Sequence, residues 1–290
     1  MNKYSIVLML GIAVTAVAVC SPVRSMLGSN GNEFSSEEWN PTAADYIQDG
    51  LVALWDGIEN VGYGLHEDNP SAWISLVNPV DSFRIADISK YFTPVYSIED
   101  DHFHVTKIAI WNPPRDSASY GETWGSFEVC FAFNGVDNSY IPSRIQICKG
   151  TSNSAQGLAI YREKISDEEN RYGILLSYSS KACIADFTDY IGRKCTVSLK
   201  YSNASNQNNS RINGKPFAFA SGFNNTGSDA GWGFGYRGKN ATIGNWTTAI
   251  DTSGYIANTD IYCIRLYNRA LTDAEIRYNY LIDKLRFNLP

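Results

Sequence analysis

The last thirty residues constrain this chain most. Ile261-Tyr262-Cys263-Ile264-Arg265-Leu266-Tyr267-Asn268 alternates as a strand does, with Tyr262, Ile264 and Leu266 on one face and Cys263, Arg265 and Tyr267 on the other. It runs through Arg269-Ala270-Leu271 into Thr272-Asp273-Ala274-Glu275, a capping box. There the Thr272 hydroxyl takes the backbone N–H of Glu275, and the Glu275 carboxylate takes the N–H of Thr272. Leu271 and Ile276 stand at the two positions of a hydrophobic staple, which fixes how the strand enters the helix. Ile276, Asn279, Tyr280 and Asp283 then follow at helical spacing. A strand, a capped turn and one short helix therefore end the chain.

What precedes this is β-like throughout. Gly125-Ser126-Phe127-Glu128-Val129-Cys130-Phe131-Ala132-Phe133 puts Phe127, Val129, Phe131 and Phe133 on one face, with Asn134-Gly135 as a turn behind it. Further strands are read at Leu51–Trp55, Trp73–Val77, Ile85–Ile88, His104–Ile110, Gly157–Tyr161, Tyr172–Tyr178 and Cys195–Tyr201. Asn213-Gly214, between Ile212 and Phe217, has the composition of a hairpin turn with positive φ. Short strands at this density, turn residues between them and one terminal helix predict an antiparallel β-sandwich. Hydrophobic content of 44% and aromatic content of 13% supply its core.

Residues 1–20 read as a leader: Lys3, then an uncharged run from Ile6 to Val19, and Ala16-Val17-Ala18 as a cleavage site. The run is shorter than the roughly 20 residues of a comfortable membrane span. A lipoprotein leader ending at Cys20 is the rival reading, weakened by Val19 where a small residue is usual. Export to the outside or the cell surface is the expectation, with membrane contact only through an uncleaved leader. Residues 21–45 are polar and read as a linker, and the domain is expected over 46–290. The formal charge of -6, with no run of Lys or Arg, excludes the basic footprint of a nucleic-acid partner.

The run Ile264 to Ile276, with Asn279-Tyr280 and Asp283 through Phe287 behind it, resembles the C-terminal signature of LamG-like domains of the concanavalin A-like lectin/glucanase superfamily, in its bacterial and phage form. Asp49-Gly50-Leu51-Val52-Ala53-Leu54-Trp55-Asp56-Gly57 resembles the opening strand of the same domains. The resemblance implies a jelly-roll sandwich with a short C-terminal helix. It also implies a non-catalytic module whose partner is a carbohydrate or cell-surface glycan. Lectins of the superfamily often use Ca²⁺, but no calcium motif matches positions here. A structural or adhesive part of a cell surface or phage particle, and a glycoside hydrolase, are the competing readings, since one scaffold hosts unrelated functions.

Four aromatics are the candidate ligand-binding residues: Trp124, Trp232, Tyr236 and Trp246. A neutral sugar offers no charge to grip, so ring stacking must supply affinity. Gly231-Trp232-Gly233-Phe234-Gly235-Tyr236-Arg237-Gly238 would line three aromatics on one strand face, which suits a stacking platform and suits a core strand still better. Trp246, in Gly244-Asn245-Trp246-Thr247, reads as a loop residue and is the favoured candidate.

Catalytic and metal patterns are thin. Retaining glucanases of this superfamily carry Glu-x-Asp-x-Glu on a strand, with the carboxyl groups about 5–5.5 Å apart, and no such run occurs. Glu122 with Glu128, Asp167-Glu168-Glu169, and Glu59 with Asp68 are the remaining carboxylate groupings. Asp100-Asp101-His102-Phe103-His104 puts two histidines on one strand face, with His66 as a third nitrogen donor, but lacks the rest of a cupin motif. Six cysteines show no C-x-x-C spacing. Cys130, Cys195 and Cys263 read as buried thiols, and a Cys183–Cys195 bridge is left open.

Overall fold

A computed structural model of the chain describes residues 39–59, 72–77, 82–84, 96–98, 102–105, 109–111, 125–134, 144–150, 157–164, 170–178, 181–201, 210–216, 241–243 and 259–290. The leader and most of the expected linker lie outside the described residues. Among the described residues sixteen strands and one α-helix follow in order: β1 Leu51–Asp56, β2 Ala72–Ile74, β3 Ser82–Arg84, β4 Tyr96–Ile98, β5 Phe103–Val105, β6 Ala109–Trp111, β7 Gly125–Phe133 and β8 Arg144–Gly150. Then come β9 Gly157–Lys164, β10 Asn170–Tyr178, β11 Lys181–Asp186, β12 Lys194–Tyr201, β13 Ser210–Ile212, β14 Lys215–Pro216, β15 Ala241–Ile243, β16 Thr259–Tyr267 and α1 Asp273–Arg286. All belong to one compact unit, Asn40–Pro290.

These strands form two sheets, and every pairing among the described residues is antiparallel. Sheet A runs β14-β13-β12-β7-β16-β5-β4, with β1 joining β16 beside β5. Sheet B runs β11-β10-β9-β8-β15-β6-β3-β2. The fold is thus all-β with one C-terminal helix. β16 is the hub of sheet A: β7 lies along one edge, while β1 and β5 share the other, at Cys263–Tyr267 and Thr259–Ile261 respectively. The first strand of the domain therefore pairs with the last.

The central strands β7 and β16 of sheet A are buried on both faces, and the sequence shows why. In β7 the aromatic positions face sheet B, where Phe131 stacks on Phe187 at 5.9 Å and Phe133 meets Tyr172 at 6.4 Å between ring centroids. The alternate positions, Ser126, Glu128, Cys130 and Ala132, are buried too, because α1 lies over that face. An alternating apolar and polar strand would ordinarily have one wet face. Here the polar residues meet a helix whose own inward stripe carries Asn279 and Asp283. Sheet B, sheet A and α1 thus form three layers at this point.

The helix start agrees with its sequence. Glu275 N–H donates to Thr272 Oγ1 at 3.2 Å, and Thr272 N–H to Glu275 Oε2 at 2.7 Å. Leu271 and Ile276 close the staple over Tyr267, with Ile47 and Leu51 packed against them. The β13–β14 hairpin turns through Asn213 and Gly214 at φ 50° and 70°. A Cβ on Gly214 would meet Tyr280 Cδ1 at 3.3 Å, so the turn sits close against α1.

Two strand readings need correction. The run His104–Ile110 is two strands: β5 belongs to sheet A and β6 to sheet B. Alternation cannot separate one long strand from two short ones that change sheets, since either has period two. On β16 a bulge between Ile261 and Cys263 disturbs the simple two-face division. Tyr262 reaches Phe287, just past α1, at 5.5 Å, while Cys263 also turns to the helix side and accepts from Arg265. The extra residue of the bulge re-aims a side chain. The reading of Ile85–Ile88 lies outside the described residues.

Replacing Thr272 with Ala should lower the unfolding free energy by about 0.5–2 kcal/mol through loss of the cap. Urea denaturation measures it, and a variant as stable as its parent contradicts the capping box. Deleting Asp273 onward should abolish cooperative unfolding, because it uncovers the polar and charged face of β7, β12 and β16 that α1 buries.

Candidate functional site

The densest chemistry among the described residues is a buried ionic cluster between sheet A and α1. Arg265, fully buried on β16, donates through Nε to Glu128 Oε2 at 2.9 Å. Its Nη1 and Nη2 reach the two oxygens of Asp283 at 2.6 and 2.7 Å, the bidentate geometry that a planar guanidinium allows. Its Cζ also lies 4.2 Å from the centroid of the Tyr46 ring. Tyr46 Oη and Thr196 Oγ1 donate to Asp283 at 2.7 and 2.8 Å. Glu128 accepts from Ser198 Oγ at 2.7 Å and Asn279 Nδ2 at 2.6 Å. Asn279 Oδ1 in turn accepts the backbone N–H of Ile47 at 3.0 Å.

Two further arginines extend the cluster toward the start of the domain. Arg286 binds both oxygens of the buried Asp56 at 2.6 and 2.9 Å and reaches Glu59 at 3.0 Å. Arg269 grips Glu275 with both terminal nitrogens, at 2.7 and 3.0 Å, and reaches Asp49 at 2.8 Å. Ala43 N–H also donates to Glu59. Residues 43–59 are thereby fastened to residues 263–286.

The electrostatics follow from burial. Arg265 and Arg286 face three fully buried carboxylates, Glu128, Asp283 and Asp56. Burial pushes the Glu128 carboxyl above its ordinary range, against the pull of Arg265 and Ser198. The carboxylates in turn hold the Arg265 guanidinium above its usual value, although burial alone would lower it. Burial and then Asp283 raise the Tyr46 hydroxyl, so it stays a donor. Burial alone would raise the Glu275 carboxyl too, but hydrogen bonds from Arg269 and Thr272 outweigh it and hold the group below the usual range.

The centre of the cluster, Arg265, Glu128 and Asp283, is fully buried and its polar atoms are engaged with one another, so these groups meet no substrate. Glu128, weighed as one of a catalytic pair, is a counter-ion in the core. Glu59 is tied to Arg286. Glu122, Asp68 and Asp167-Glu168-Glu169 lie outside the described residues. The ligand candidates Trp124, Trp232, Tyr236 and Trp246 also lie outside them. Trp55 and Trp73 are within them and are core residues, 0% and 1% exposed.

The histidine reading is resolved at one position. His102 Nε2 stands 3.7 Å from Asp260 Oδ1, on the outer face of sheet A beside Tyr262. His66 and the side chain of His104 lie outside the described residues. Among the described residues no group of three His, Cys, Asp or Glu side chains is placed to hold a metal ion. Cys130, Cys195 and Cys263 are free buried thiols, so Cys195 is not bridged to Cys183. Burial raises all three.

Sequence reasoning missed the cluster as a unit, although a signal was present. Asn279 and Asp283 occupy inward positions of a helix stripe, and Arg265 alternates on the strand that precedes it. Polar residues at core positions of two adjacent elements predict one another.

No family model matches the chain, and no curated protein matches it by sequence. Solved structures do. Trypanosoma rangeli sialidase is similar with a TM-score of 0.52 at 16% identity, and the same enzyme in complex with sialic acid gives 0.53 at 15%. Each alignment covers 83% of this chain and 33% of the sialidase chain. The chain therefore spans about a third of the length of the sialidases it matches. The receptor-binding domain of botulinum neurotoxin type G gives a TM-score of 0.44 at 11% identity, over 81% of this chain and 52% of that one. At these identities the likeness to the sialidase is one of fold: a β-rich architecture shared with part of a larger chain.

Replacing Arg265 with Met leaves Glu128 and Asp283 buried without their shared cation and should cost about 3–5 kcal/mol. Arg265→Lys keeps the charge but cannot bridge both carboxylates, so it should recover only part of the loss. A methionine variant within error of the parent would contradict the cluster. The Glu275 contribution is present above its unfolded pKa and is lost as pH falls through its lower folded value. The stability gap between parent and Glu275→Gln should therefore narrow below about pH 4, read from urea midpoints across pH.

Proposed function

We propose that this chain is an exported, non-catalytic carbohydrate-binding module on a jelly-roll sandwich of the concanavalin A-like class. The observation that carries the reading is the fold likeness, over 83% of the chain, to a sialidase solved with sialic acid. The C-terminal strand–cap–helix signature supports the same class, because the residues that make it recognisable are those that close the domain. Its carboxylate nearest to a catalytic pattern, Glu128, is fully buried against Arg265, which removes it from any substrate.

The proposed binding surface is on sheet B. α1 covers the outer face of sheet A over β7, β12 and β16, so a glycan cannot reach that area. β15 lies in the middle of sheet B, between β8 and β6. Trp232 and Tyr236 precede β15 in the chain and Trp246 follows it by three residues. Aromatics flanking a central strand suit a stacking platform, which binds a neutral ring without ordering many rotamers. Trp124, immediately before β7, is the outlier of the set.

A glycan array with the purified chain, run with and without Ca²⁺ and including sialylated glycans, tests this reading. Retention of a defined glycan class is expected, and its loss in Trp246→Ala at unchanged thermal stability. No retention of any glycan, or a Trp246→Ala variant that loses stability alone, would remove the lectin reading.

A further inference from the structure

We infer that Cys130 and Cys263 are a redox dithiol, which closes to a cross-strand disulfide by exchange with a small-molecule disulfide while the chain folds. This goes beyond carbohydrate recognition and does not depend on it.

The two cysteines are register partners on β7 and β16, in the middle of sheet A. Directly opposite residues of an antiparallel pair have Cα atoms about 4.5 or 5.5 Å apart, and a disulfide accepts about 4.4–6.8 Å. The bulge on β16 is what makes them partners. Ile261 pairs with Phe131, so an unbroken ladder would set Tyr262 against Cys130; the extra residue sets Cys263 there instead. Both side chains lie on the α1 face. Cys130 alternates with Phe131, which faces sheet B, and Cys263 accepts from Arg265 Nη1 at 3.3 Å. Burial raises the Cys130 thiol most, then Asp283, and Cys263 adds to the rise, as close neighbours do.

Among the described residues no other cysteine competes for this pairing. Cys195 is the register partner of Phe131, so it stands on the face opposite to Cys130. Cys148 and Cys183 lie on β8 and β11 of sheet B, with β9 and β10 between them. Three strand spacings amount to about 14 Å, past the roughly 7 Å that a disulfide spans between Cα atoms.

The exchange balances in two steps. The thiolate of one cysteine attacks a sulfur of the small disulfide and expels its first thiolate, leaving a mixed disulfide. The thiolate of the second cysteine attacks the protein sulfur of that bond and expels the other. Two protein thiols are thereby oxidised by two electrons, and the small disulfide becomes two thiols that carry away the two protons. Once α1 has docked, both residues are 0% exposed and burial raises both thiols, so neither step has a thiolate or a path. The bond therefore forms before the helix closes, in an oxidising milieu of the kind exported chains meet. It ties β7 to β16 across 133 positions of chain, and long closed loops restrict the unfolded state most.

The test refolds the reduced full chain from urea into buffer containing oxidised and reduced glutathione, then maps disulfides by non-reducing peptide mass spectrometry. Chain entropy alone favours Cys130–Cys148 over Cys130–Cys263 by about 20-fold, since their separations are 18 and 133 positions. Oxidation in urea should follow that order. Refolding should reverse it, with Cys130–Cys263 the main link to Cys130. The refolded chain should keep the far-UV circular dichroism of the reduced protein, and dithiothreitol should lower its urea midpoint. The folded reduced chain should stay unlinked in the same buffer over the same time. None of these readouts needs a variant to fold. Absence of the Cys130–Cys263 link after refolding, a link pattern unchanged from urea, a linked chain without the native β-signal, or a midpoint that reduction leaves unchanged would overturn the assignment. Linking of the folded chain as fast as of the refolding one would overturn its timing.

Discussion

Arg265 sits with no exposure between sheet A and α1, holding Glu128 on β7 and Asp283 on the helix at once. Without it, two carboxylates would be buried in a medium where unpaired charge is expensive. With it, the helix can lie on a strand face that carries glutamate, serine and threonine instead of apolar residues. A buried pair of this kind is weak evidence for extra stability, because desolvation offsets much of the attraction. What it supplies is register: α1 can dock only where Asp283, Asn279 and Arg286 find their partners.

That register also closes the domain. Tyr46 and Asp283 are 237 residues apart in the chain and share a hydrogen bond, and Arg286 reaches back 230 residues to Asp56. β1 then pairs along β16 directly above the same cluster. The two ends of the domain are therefore joined three times: by a ladder, by a staple and by ion pairs. Contacts of such long range form only after much chain entropy has been lost. The ends should accordingly be among the last parts to order during folding, and the strands between them are held in a closed frame once they do.

The sequence made the frame legible and the middle less so. The capping box at Thr272, the staple at Leu271 and Ile276, the turn at Asn213-Gly214 and the long strands β7 and β16 were readable because each rests on local chemistry. The change of sheet between β5 and β6 was not, because alternation has the same period on either side of it. The bulge at Tyr262 was invisible for a related reason: one extra residue changes faces without changing composition. Burial of both faces of β7 was half legible. Phe127, Val129, Phe131 and Phe133 announce one buried face, but Glu128 looks like a solvated residue until Arg265 and Asn279 are placed beside it. The candidate site divided in the same way: Asn279 and Asp283 were visible as inward positions of a helix stripe, whereas Glu128, 151 residues before Asn279, acquires meaning only once β7 lies under α1.

α1 and its ion pairs are integral to the β-structure rather than attached to its surface. Native-state hydrogen exchange measured against denaturant tests it most directly. If the claim holds, the amides of Ile276 to Asp283 should exchange only through global unfolding, with the same free energy and denaturant dependence as those of β7 and β16. Exchange of the helix amides through a sub-global opening, at distinctly lower free energy while β7 and β16 stay protected, would contradict it.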